Sequence, residues 1–196
     1  MFDNDYFGAE SYVITCASSK TSIALAFAVK QRGGKKTIGM TSEGNVEFCK
    51  DLDCYDVIIT YDQAESLDSS EAIIIVDMAG NFNAMKTLHE HFQENVKYSC
   101  KVGATHISAL DGDLNALPGA TPTFFFAPAQ VEKRNQEWGS GKVQKLIGQA
   151  LKDFQKFSDQ WMSVSRGSGT EAIGQTYTKV LSGKASPKEG FILSMK

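Results

Sequence analysis

The chain has 196 residues, enough for one ordinary domain with a substantial core. It is 42% hydrophobic and 22% charged with a formal net charge of -3, a globular composition without the basic excess of a nucleic-acid binder. Its best apolar run, Ile23 to Val29, falls far short of a membrane span, and the acidic, aromatic opening MFDNDYFGAE is unlike a signal or transit peptide. The expected location is the cytoplasm.

Tyr12 to Cys16 is apolar and β-branched, as a central parallel strand is. Thr21 to Gln31 reads as a helix, with Ala24, Ala26 and Ala28 for close packing and Gly33 and Gly34 to stop it. Thr37 to Met40 is the next strand, and Thr41 or Ser42 is placed to cap a helix carrying Val46, Cys49 and Leu52 at helical spacing. Strands follow at Asp56–Thr60 and Ala72–Asp77. Phe82, Met85, Leu88 and Phe92 mark one face of an amphipathic helix. Tyr98–Val102 and Thr123–Ala127 complete six strands.

Strands alternating with helices at this spacing predict an α/β fold, a Rossmann-type doubly wound parallel sheet of order 3-2-1-4-5-6. The pattern changes after Pro128: Val131 to about Gln160 reads as helical with breaks at Gly139 and Gly141. A strand at Trp161–Ser165, a helix to Leu181 and a strand FILSM follow. The expected domains are a dinucleotide-binding unit, 1–128, and a helical and two-strand extension, 129–196.

The chemistry is concentrated at the first strand-to-helix turn. Ala17-Ser18-Ser19-Lys20-Thr21-Ser22 stands where a dinucleotide-binding turn would carry glycines for close backbone approach to a pyrophosphate. Small side chains preserve part of that approach. Hydroxyls donate to phosphate oxygens, and Lys20 adds charge to the helix N-terminus. Ser18, Ser19, Lys20 and Thr21 are therefore candidate phosphate ligands; the alternative is a serine turn that only caps a helix. Lys20-Thr21 also resembles the end of a P-loop, but GxxxxGK[ST] requires glycine at positions 14 and 19, which are Ile14 and Ser19.

The end of the second strand selects the cofactor. Thr41 and Ser42 stand where an acidic residue would bind both ribose hydroxyls of NAD, and neutral hydroxyls leave room for the 2′-phosphate of NADP. Lys35 and Lys36 fit a solvated turn better than a phosphate site. Tyr61, past the third strand, either lies on the same rim or covers the sheet edge. Asp77-Met78-Ala79-Gly80 and Gly103-Ala104 put small turns after strands four and five, where Met78 and Gly103 would flank a nicotinamide. Cys16, Cys49, Cys54 and Cys100 form no CxxC pair and read as structural thiols, and His89, His91 and His106 form no zinc signature.

KTIGMTSEGNVEFCKDLDCYDVIITYD, IIIVDMAGN and TYTKVLSGKASPKEGFILSM together resemble the nucleotide-binding half of the medium-chain dehydrogenase/reductase superfamily, in its zinc-free, quinone-reductase-like branch. The ASSKT turn and FFFAP strand resemble most an uncharacterised family within or near that branch. The resemblance covers essentially the whole chain. It implies NADP(H), with NADPH favoured over NADH, and hydride transfer to a small carbonyl or activated alkene.

Members of that superfamily carry a GroES-like catalytic domain ahead of the first nucleotide-binding strand. This chain begins almost at that strand, so the expectation is a cofactor domain inactive alone, without an assigned catalytic residue. A non-enzymatic Rossmann module for nucleotide sensing or oligomerisation is the alternative. WMSVS and FILSM match segments that complete the catalytic domain. Thr123–Ala127 matches an edge strand that pairs across a two-fold axis, implying a homodimer with Phe124, Phe125 and Phe126 near the seam. Neither nucleic acid nor membrane is an expected partner.

Overall fold

A computed structural model describes residues 1–103 and 112–196. The expected Ala104 turn and His106 lie outside the described residues. Two compact units are present, Met1–Val143 and Gln144–Lys196.

The first unit is built on a six-stranded, all-parallel sheet in the order β3-β2-β1-β4-β5-β6. Its strands are β1 (Ser11–Ile14), β2 (Lys36–Thr41), β3 (Val57–Thr60), β4 (Ile73–Asp77), β5 (Val96–Lys101) and β6 (Thr123–Phe124). β1 and β4 are buried at every position, as strands covered on both faces must be. The connecting helices are α1 (Lys20–Arg32), α2 (Val46–Asp51) and α3 (Phe82–Phe92), with α4 (Ala127–Trp138) after the last strand.

Val13, Ile38, Ile73 and Ile75 share one side of the sheet and pack with Met85, Leu88 and Phe92 of α3. Burying each such side chain contributes about 1.5–3 kcal/mol. Strand order reverses between β1 and β4, and the carboxyl ends of the strands at such a switch point are the usual ligand position in open α/β sheets.

Several boundaries differ from expectation. β6 has two residues rather than five, because Pro128 sits in the first turn of α4, where its fixed φ and missing N–H favour a helix start and end strand pairing. Gly139, at φ 82°, ends α4, whereas Gly141 lies inside α5 (Ser140–Ser158). Neither expected cap forms before α2: Thr41 is the last residue of β2, and Ser42 precedes a 3₁₀ turn without a side-chain capping bond. Ala28 is exposed; α1 buries Ser22, Ile23 and Ala26 instead.

The second unit contains a parallel pair, β7 (Ser163–Ser168) and β8 (Glu189–Ser194), joined by α6 (Gly169–Leu181). β7 starts two residues later than expected because Trp161 is still in the turn closing α5. Val164, Tyr177, Leu181 and Ile192 are exposed apolar residues of this unit. Among the described residues, no helix is long and apolar enough to cross a membrane.

Candidate functional site at the β1–β4 crevice

The turn between β1 and α1 is wound tightly by its own hydroxyls. Ser19 caps α1, accepting the Ser22 N–H at 3.2 Å, while its hydroxyl donates to Ser22 Oγ at 2.9 Å. The Ser22 hydroxyl donates back to the Thr15 carbonyl at 2.9 Å. Ala17 N–H pairs with the Met40 carbonyl, and Ser19 N–H with that of Cys16. The N–H groups of Ser18 and Thr21 hold no hydrogen bond among the described residues. They remain at the positive end of a 13-residue helix, where an anion is stabilised. Lys20 and Thr21, in the first helical turn, are exposed.

Cys16 adopts φ 52°, a left-handed conformation in which glycine would be free of strain. Its N–H donates to the Tyr61 hydroxyl at 3.0 Å. Burial pushes the Tyr61 phenol up to about 12, against the opposing effect of that hydrogen bond, so it stays protonated at neutral pH. Burial likewise raises the Cys16 thiol. Tyr61 thus reaches from the end of β3 to the turn between β1 and α1.

At the end of β2 the Asn45 amide donates to Ser18 Oγ at 3.3 Å and to Ser42 Oγ at 3.1 Å, joining the turn to the expected ribose side. Ser42 is exposed. Thr41 is buried.

On the other flank, Met78 and Gly103 meet directly: a Cβ at Gly103 would lie 2.9 Å from the Met78 carbonyl oxygen. Thr15 and Asp77, both buried, link this flank to the turn. The Thr15 hydroxyl donates to Asp77 Oδ1 at 2.7 Å and accepts the Met78 N–H at 2.9 Å. Asp77 in turn accepts the N–H groups of Ala79 at 3.0 Å and Gly80 at 3.1 Å.

Ser18, Ser19, Lys20, Thr21, Thr41, Ser42, Tyr61, Met78 and Gly103 therefore all lie at the carboxyl edge of one sheet. Sequence reasoning did not find the Thr15–Asp77 pair, the bridging Asn45 or the left-handed Cys16. A polar residue ending each of two apolar runs was the available signal for the first. All four cysteines are free thiols, and among the described residues no group of three His, Cys, Asp or Glu side chains could hold a metal.

Residues 1–186 match the model of a family described as a protein of unknown function, DUF2855. No curated protein matches the sequence significantly. Solved structures share the fold at low identity. The yhdH oxidoreductase from Salmonella enterica in complex with NADP is 11% identical, with a TM-score of 0.63, covering 100% of this chain and 57% of that one. CurA from Vibrio vulnificus in complex with NADPH is 15% identical, with a TM-score of 0.60 and coverage of 96% and 57%. YhdH from E. coli K-12 with bound NADPH is 13% identical, with a TM-score of 0.59 and coverage of 98% and 58%. The chain therefore spans somewhat over half the length of these structures. The fold expected from the resemblance to the medium-chain dehydrogenase/reductase superfamily is borne out.

Proposed function

We propose, from the premise that this chain belongs to the DUF2855 family, that it is the NADP(H)-binding part of a reductase-like protein. The observation that carries this reading is the serine turn at the head of α1. Its Ser18 and Thr21 N–H groups stand at the reversal of strand order, hydroxyls line it, and Lys20 lies beside it. In this reading Ser18, Ser19, Lys20 and Thr21 hold the pyrophosphate. Ser42 flanks the adenosine ribose, with the buried Thr41 next to it at the end of β2; Tyr61 orders the turn, and Met78 and Gly103 flank the nicotinamide. NADPH is preferred over NADH because Thr41 and Ser42, rather than an acidic residue, stand at the end of β2.

The nicotinamide supplies the hydride when bound; this chain's residues bind and orient it. Reduction of a small carbonyl or activated alkene then belongs to a larger protein, in which further chain completes the substrate wall. The exposed apolar residues of the second unit and the greater length of the solved relatives support that arrangement. The protein is read as cytoplasmic, and its dimer as forming through β6.

Titration with NADPH and with NADH, followed by melting temperature, tests the reading. At a hundred times Kd a ligand adds about 2.7 kcal/mol of stability. The expected result is a larger response to NADPH than to NADH, reduced in Lys20→Ala. No response to either cofactor at millimolar concentration overturns it. One observation favours the second reading, a non-enzymatic Rossmann module: the Cys16 N–H is already taken by Tyr61 rather than left for a phosphate.

A further inference from the structure

We propose that Thr15 and Asp77 are positioning residues that lock the two halves of the dinucleotide site at a fixed separation, an inference that rests on the NADP(H) reading above. Both side chains are buried, at 0% and 1% exposure, so neither can be a ligand contact of any size. Their bonds instead bridge the site's two flanks.

Thr15 Oγ1 donates to Asp77 Oδ1 at 2.7 Å and receives the N–H groups of Met78 at 2.9 Å and Ala79 at 3.3 Å. Asp77 Oδ2 receives the Gly80 N–H at 3.1 Å, and Thr15 N–H pairs with the Val76 carbonyl at 3.1 Å. On the phosphate side, the Thr15 carbonyl accepts the Ser22 hydroxyl, which is itself locked to Ser19. An unbroken hydrogen-bonded path thus runs from the cap of α1, through Thr15 and Asp77, to the turn after β4. Thr15 and Asp77 are 62 apart in sequence, and three hydrogen bonds of the Thr15 hydroxyl span the two turns.

A ligand that touches only the phosphate turn gains nothing from this link. A dinucleotide, which must touch both turns at once, gains the effective concentration that a preset separation gives its second half. The pair therefore serves the whole cofactor more than it serves either half.

The test compares NADPH with 2′-phospho-ADP-ribose, which lacks the nicotinamide, on the full chain. Thr15→Val keeps the shape and removes the hydroxyl; Asp77→Asn keeps the shape and weakens acceptance; Thr15→Ser keeps the hydroxyl. The expected result is about a tenfold loss of NADPH affinity in Thr15→Val and in Asp77→Asn. The loss for 2′-phospho-ADP-ribose stays under about twofold, and Thr15→Ser behaves as wild type. Equal losses for both ligands, or no loss of NADPH affinity in a folded variant, overturn the inference while leaving the NADP(H) reading intact. A wild-type chain that binds neither ligand overturns both. If Thr15→Val does not fold, the same two outcomes are read from Asp77→Asn.

Discussion

The Tyr61 hydroxyl accepts the N–H of Cys16 at 3.0 Å, so the residue following β3 fixes the backbone of the turn following β1. Cys16 is held at φ 52°, and that hydrogen bond is among the interactions that keep it there. Tyr61→Phe removes the acceptor and nothing else of the ring. A partly buried amide left without a partner costs about 1–3 kcal/mol. Denaturant unfolding of Tyr61→Phe is expected to show a loss in this range at unchanged m-value, with weaker NADPH binding. A midpoint equal to wild type would show that the Cys16 amide finds another acceptor.

The elements of the first unit are legible in sequence because buried parallel strands must be continuous apolar runs, and Tyr12–Ile14 and Ile73–Val76 are such runs. The helix face Met85, Leu88 and Phe92 is legible for the same reason at a different period. What escapes is set by contacts distant along the chain. Thr15 and Asp77 become a pair only after β1 and β4 lie side by side. A left-handed backbone at Cys16 has no compositional mark, since glycine is the usual sign of it. The Phe124–Phe126 run reads as strand by propensity, but Pro128 turns the chain into helix and leaves only Thr123 and Phe124 paired.

Gly39 illustrates how closely the sheet and turn are packed beneath the site. A Cβ there would stand 2.7 Å from Ile58 Cδ1 and 2.9 Å from both Ala17 Cβ and Tyr55 Cδ1. Tyr55 cannot swing clear without cost, because its hydroxyl donates to the Ala17 carbonyl at 2.8 Å. Gly39→Ala is therefore an overpacking substitution, expected to destabilise by about 1–3 kcal/mol. Displacement of Ala17 is transmitted to the adjoining Ser18, so under the proposed NADP(H) reading NADPH affinity is expected to fall as well. Thermal unfolding and a cofactor titration on the same sample check both parts; a stability equal to wild type rules the packing argument out.

The edge of the sheet bears on the proposed dimer. β6 is the last strand, and Phe124 and Phe126 are 72% and 57% exposed. An unprotected strand edge flanked by large apolar side chains favours pairing with a second copy. Sedimentation is expected to give twice 21.4 kDa for the wild-type chain and a single copy for Phe124→Glu, with an unchanged far-ultraviolet spectrum. A monomeric wild-type chain at high micromolar concentration removes the proposal.

His89 sets a pH dependence that is separate from cofactor binding. The ring is fully buried, with Nδ1 2.7 Å from the Pro118 carbonyl and Nε2 2.9 Å from Ser99 Oγ. A carbonyl only accepts, so Nδ1 carries the proton and Nε2 receives the Ser99 hydroxyl. Burial holds the folded imidazole below its ordinary value of 6.5, partly opposed by the bond to Pro118. As pH falls through about 6.5 the unfolded chain therefore takes up a proton that the folded chain still refuses. Unfolding then absorbs protons, and stability declines with a slope of at most about 1.4 kcal/mol per pH unit until the folded ring also protonates. Above about 6.5 this residue contributes no slope, because both states are neutral there. Carboxylates add their own slope at lower pH, so the quantity to measure is wild type minus His89→Gln. That difference is expected to shrink between about pH 6.5 and 5, as the wild type loses its advantage and the glutamine variant does not. A difference that stays constant over this interval would mean that His89 protonates as readily in the folded chain as in the unfolded one.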